Sequence, residues 1–128
     1  MRCSSQFGDS VYYLNDGLSS YWVSAVGEVS NQWIEYIYKF PVIVTSVRIG
    51  LPGSDKWSSD CAPKDCSLEG MDTGGSWVNV HKFQIERGNS SRWHEELLPE
   101  AVWRSYRRVR LFMKNQHHYS SQDRMVLS

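Results

Sequence analysis

Two stretches of the 128-residue chain place reactive or ligand-ready side chains where no regular element would bury them. Gly50 to Ala62, GLPGSDKWSSDCA, sets Lys56 and Trp57 among Gly, Pro, Ser and Asp residues. No strand periodicity surrounds Trp57. Its indole is expected either to stack on a sugar face or enter an interface, or to fold back over the end of a core. Lys114 to Asp123, KNQHHYSSQD, strings together Asn115, Gln116, His117, His118 and Tyr119. Amide and imidazole groups each donate and accept hydrogen bonds, which suits them to fixing hydroxyls. On a strand, His117 and His118 would point opposite ways, which argues against a shared metal. Arg48 ends the run before the Gly50 loop and is placed to reach a ligand there. The expected ligand-binding set is therefore Arg48, Lys56, Trp57, Asn115, His117, His118 and Tyr119.

Catalytic patterns are thin. No Gly-x-Ser-x-Gly elbow, phosphate loop, dinucleotide fingerprint or His-Glu-x-x-His pair occurs. His94-Glu95-Glu96 sets an imidazole beside two carboxylates without a nucleophile, and reads as a solvated turn. No feature selects two acids for glycoside hydrolysis. Arg104, Arg107, Arg108 and Arg110 invite a phosphate reading, but strand alternation puts Arg108 and Arg110 on one face and Arg107 on the other. An outer sheet face is the simpler expectation for them. The chain reads as a binding module rather than an enzyme.

Charge and composition narrow the partners. Lys plus Arg is 14 and Asp plus Glu is 14, so no net positive charge supplies a general grip on nucleic acid or anionic lipid. Hydrophobic residues at 41% with zero net charge exclude a disordered chain. The length suits one domain spanning 1–128. No apolar run approaches the ~20 residues of a membrane span. Met1 to Gln6 lacks an apolar core, so the expectation is an intracellular domain or a fragment of a longer exported chain. Cys3, Cys61 and Cys66 make an odd count, against a complete disulfide framework. Cys61 and Cys66 are left as a small loop closure or as two thiols.

The elements that must position these residues are strands. In Gln32 to Phe40, Ile34, Tyr36, Tyr38 and Phe40 share one parity, the pattern a pleated surface selects. Pro41 is expected to break that ladder, with Val42 to Ile49 as the next strand. Cys66 to Gly70, Trp77 to Phe83, Tyr106 to Met113 and Arg124 to Leu127 follow. Turn residues separate them at Asn15-Asp16-Gly17, Pro52 to Asp55, Asp72 to Gly75 and Gly88 to Ser90. Trp93 to Tyr106 is the one stretch that could be helical, and Pro99 limits it to a turn or two. Many short strands and almost no helix predict an all-β antiparallel sandwich. Trp22, Trp33 and Trp77 are expected to fill the space between its sheets.

Five segments in order, Asn15 to Ser24, Gln32 to Tyr36, Val44 to Ile49, Pro63 to Trp77 and Tyr106 to Leu111, resemble the discoidin, or coagulation factor 5/8 type C, family. The hairpin segment, PKDCSLEGMDTGGSW, is similar to the family's leucine-glutamate-glycine, aspartate-glycine, tryptophan pattern. The resemblance covers Val11 to Ser128. It implies a galactose-binding-like jelly roll whose loops at one end hold ligand, here Ser24 to Asn31 and Gly50 to Ala62; Lys114 to Asp123, after the penultimate strand, is a third candidate. In some relatives the turn equivalent to Asn15-Asp16-Gly17 helps bind calcium, which implies Asp16 and Ser19 as metal ligands. That turn alone cannot supply the six to eight oxygens calcium wants, and the family's closing glutamate has no counterpart before Ser128. The ligands expected are carbohydrate first, a protein partner second, and phospholipid third through Val26, Val29, Lys56 and Trp57.

Overall fold

Alternation in one strand sets the two faces of the molecule. Across Ser105–Met113, Val109, Leu111 and Met113 are buried, while Arg108, Arg110 and Phe112 turn to the opposite face. This is the two-residue period of a sheet with one dry side. The computed structural model describes residues 2–5, 22–24, 30–50, 61–86, 93–117 and 125–127, with backbone only at 22, 23, 126 and 127. Its strands are β1 (Arg2–Cys3), β2 (Trp22–Val23), β3 (Gln32–Ile43), β4 (Ser46–Gly50), β5 (Asp65–Met71), β6 (Trp77–Gln84), β7 (Trp93–Leu97), β8 (Ser105–Met113) and β9 (Val126–Leu127).

Among the described residues every strand pairing is antiparallel. A five-stranded sheet runs β1-β3-β8-β5-β6, and the pairs β2-β9 and β4-β7 form two-stranded sheets. Ile34, Cys66, Phe83, Leu111 and Met113 of the large sheet meet Ile49 of β4 and Met125 beside β9 in one buried cluster. The arrangement is an antiparallel β-sandwich.

Three expectations are corrected. Pro41 does not end its strand: β3 continues to Ile43, and β4 begins only at Ser46. The register with β8 instead slips between Ile37 and Val42, so residues 38–41 bulge. β1 covers β3 only at Ile34 and Glu35, so Pro41 lies where no neighbouring strand needs its missing N–H. Trp93 to Leu97 is a strand rather than the start of a helix, because its alternation lets it pair with β4 along its whole length. A 3-10 turn, Glu100–Val102, follows Pro99.

The third correction concerns Trp33 and Trp77. Both are half-buried on the outer face of the large sheet, not between the layers. Trp33 is out of phase with Ile34, and Arg110 lies over both indoles, 5.9 Å from Trp33 and 4.3 Å from Trp77. The guanidinium covers apolar rings while its charge is met by Glu69 at 2.8 Å. Trp22 has no described side chain.

Candidate functional site at the loop-bearing end

Gln32, Met113, Cys66 and Phe83 lie level with one another across the large sheet through their register. Phe83 stacks on His94 at 5.3 Å, which brings the Ile49, Gly50 and Trp93 end of the β4-β7 ribbon to the same height. The segments after β4, before β5 and after β8 therefore leave from one end of the sandwich. Ser4 and Ser5 fasten that rim to β3: both hydroxyls donate to the Gln32 side-chain oxygen, and Ser4 accepts from the Trp33 amide at 2.9 Å.

Arg48 and Trp93 stand at this end on the ribbon's outer face. Trp93 is opposite Gly50, and Arg48 is two residues earlier on β4. The Arg48 guanidinium lies 4.3 Å from the centre of the Trp93 ring. Trp93 is 46% exposed, so this cation–π pair faces solvent. Among the described residues, no hydrogen-bond acceptor meets the Arg48 guanidinium, which leaves its N–H groups for a ligand. Beside the pair, a cleft of about 370 Å³ opens between the layers. Tyr36 and Tyr38 of β3, Ser46 of β4 and apolar Val47, Ile49 and Leu111 contribute to its walls. An apolar cleft with a few polar groups at its lip is the usual form of a small-ligand site.

The opposite shore carries Asn115 and His117, and both are committed to internal bonds. The Asn115 carboxamide accepts the Asp65 amide at 3.0 Å and donates to the Asp65 carboxylate at 2.7 Å. That bond, with a second from Gln84, holds the Asp65 carboxyl below its usual range. His117 Nε2 is 2.7 Å from the Ile85 carbonyl, which can only accept, so the proton sits on Nε2. The His117 amide also donates to Ala62 at 3.1 Å. These residues lace the ends of β5, β6 and β8 together and shape the rim. The proposed positions Lys56, Trp57, His118, Tyr119, Asp16 and Ser19 lie outside the described residues.

Trp93 is the residue that sequence reasoning missed. Its signal was present in WHEEL, where Trp93, Glu95 and Leu97 alternate with His94 and Glu96. His94 and Glu96 point inward: the Glu96 carboxylate is 2.8 Å from His81 Nε2 and 3.1 Å from His94 Nε2. This polar bridge joins β6 to β7 across the layers, in place of the solvated turn expected there.

No protein-family model matches the chain, and no curated protein matches it. Solved structures do. The family 32 CBM of C. perfringens NanJ, in complex with galactose, superposes with a TM-score of 0.76 at 12% identity, over 98% of this chain and 86% of that one. The CBM32 of AlyQ, in complex with 4,5-unsaturated mannuronic acid, gives 0.71 at 18% identity, over 98% and 87%. The family 32 carbohydrate-binding module from Streptococcus pneumoniae EndoD gives 0.70 at 15%, over 99% and 88%. The fold is thus an antiparallel jelly-roll β-sandwich, shared with these carbohydrate-binding modules.

Proposed function

We propose that this jelly roll is a non-catalytic carbohydrate-binding module, one domain of discoidin type, that takes a sugar at its loop-bearing end. The observation carrying the reading is the solvent-facing stack of Arg48 on Trp93 beside an interlayer cleft. Sugars present apolar C–H faces and hydroxyl edges; an indole accepts the first and guanidinium N–H groups the second. Support also comes from the shared fold of neighbours solved with galactose and with an unsaturated mannuronic acid. A fold by itself hosts many functions, so the site residues carry the argument. Lys56, Trp57, His118 and Tyr119 are proposed to complete the site from the adjoining loops.

Isothermal titration with galactose-type and uronic-acid-type glycans tests this. Wild-type protein is expected to bind with an affinity that Trp93→Ala and Arg48→Ala each weaken by roughly tenfold or more. Trp57→Ala tests the adjoining loop in the same assay. Binding that survives both ribbon substitutions moves the site away from Arg48 and Trp93. Silence across a broad glycan array removes the carbohydrate reading.

A further inference from the structure

The pole opposite the loop-bearing end is built of exposed apolar side chains. Of the six large hydrophobic residues exposed among the described residues, five lie there: Ile37, Phe40, Ile43, Leu97 and Trp103. Phe40 is 69% and Leu97 71% exposed. They belong to connected backbone: Ile43 pairs with Ser105, Trp103 Nε1 donates to the Leu98 carbonyl at 3.0 Å, and the Leu98 amide donates to Thr45 at 2.9 Å. Beside them a groove of about 460 Å³ is walled by Ile37, Pro41, Met71, Tyr106 and Arg107. Scattered single hydrophobics are ordinary on a surface, whereas here Ile37 lines the groove and exposed Phe40 and Ile43 flank its Pro41 in the chain, which marks a contact site.

Charge and backbone decide what fits. Lys39, Arg104 and Arg107 are exposed here, and none of them forms an ion pair with a described carboxylate. Arg107 Nε donates to the Tyr38 carbonyl at 3.4 Å, and Arg104 Nη1 to the Trp103 carbonyl at 2.7 Å. Among the described residues the acidic side chains of this pole are Asp72, which lines the groove and whose carboxylate accepts the Ser76 amide at 2.9 Å within its own turn, and Glu100. Strand addition along β3 is opposed by Lys39, Pro41 and the bulge at 38–41, the features that blunt a sheet edge. A second copy would set Lys39 and Arg107 against their own like charges. Phe, Trp, Met and Arg are the residues enriched where proteins meet proteins.

We propose that this pole docks a protein partner through an acidic segment with an apolar anchor. The anchor side chain enters the groove between Ile37, Pro41, Met71 and Tyr106, and flanking carboxylates meet Lys39, Arg104 and Arg107. The groove shares no lining residue with the cleft beside Arg48 and Trp93, so this reading does not rest on the sugar site.

The probe is a fluorescein-labelled peptide in which Asp residues flank a Leu-Phe centre, compared with the same peptide carrying Lys for Asp. Fluorescence anisotropy with the full chain is expected to report binding of the acidic peptide only, weakening as salt rises. Phe40→Lys should weaken it by roughly tenfold or more. Lys39→Glu with Arg107→Glu should transfer the preference to the Lys peptide. All three positions are exposed, so unchanged melting is expected and serves as the folding control. Equal binding of the two peptides, or of neither, overturns the proposal. So does pelleting with phosphatidylserine vesicles that Phe40→Lys abolishes, which would assign the pole to a membrane. A dimer in sedimentation velocity that Phe40→Lys dissolves would assign it to a second copy.

Discussion

Glu35 lies on the outer face of the large sheet, yet only 2% of its side chain is exposed. Arg108 covers it, with Nε 2.6 Å from a carboxylate oxygen, and Arg2 approaches at 4.0 Å. A buried carboxylate without its cation keeps the desolvation cost and loses the compensation. Arg108→Met is therefore expected to lower stability by ~2 kcal/mol, the partial exposure of Arg108 taking it below a fully buried pair. Glu35→Gln in the same chain should recover most of that loss, because a neutral amide is cheaper to bury than a charge. Urea denaturation of the single and double variants reads this directly. A double variant no more stable than Arg108→Met would show that the carboxylate's charge is not what Arg108 offsets. That Arg108 and Arg110 share an outer face followed from strand parity. That they mate with Glu35 and Glu69 did not, because those acids lie on strands far apart in the chain.

At the scale of elements, close approach between strands replaces side-chain size as the constraint. Gly70 of β5 sits beneath the Tyr106 ring, and a β-carbon there would lie 2.6 Å from ring carbon Cδ1. The same ring helps wall the groove at the apolar pole. Gly70→Ala is expected to cost roughly 2 kcal/mol through displaced packing, and Tyr106→Leu added to it should return part of the loss. Thermal melts of the single and double variants check the pairing; a Gly70→Ala protein as stable as wild type would mean that Tyr106 moves freely. The glycine is visible in Leu68-Glu69-Gly70, but the reason for it needs β8 beside β5. The β7 strand teaches a related lesson. WHEEL is ambiguous in isolation because Glu and Leu favour helices, and pairing with β4 settles it.

Across the whole molecule, no disulfide joins the cysteines, and Cys61 and Cys66 are buried. Burial pushes the Cys66 thiol from its ordinary 9.0 up to about 12, with the Asp65 charge adding to the shift. The unfolded thiol ionises first, so the contribution of Cys66 is whole below about pH 9 and is lost as pH rises toward 12. The slope approaches about 1.4 kcal/mol per pH unit in that window. Cys66→Ala should flatten the alkaline limb of a stability–pH curve, at some cost in packing at neutral pH. At about pH 8, aromatic disulfide reagents are expected to modify Cys66 no faster than the protein opens. Modification at the rate of a free thiol would contradict its burial.

The sequence by itself determined the all-β class, most strand positions and the parity of β8, because a pleated strand writes its two environments into alternate residues. Which connections border the loop-bearing end came from the resemblance to the discoidin family, because turn residues mark where a chain turns and not at which end of a sandwich. Tertiary structure decided what faces what: Trp33 and Trp77 against Arg110 instead of between the layers, Asn115 and His117 bonded to backbone and Asp65, and Trp93 beneath Arg48. It also gathered Phe40, Leu97 and Trp103 at one pole from three separate segments. Periodicity reports that a residue has two kinds of neighbourhood. Which partner fills each one is fixed only when strands distant in sequence find their register.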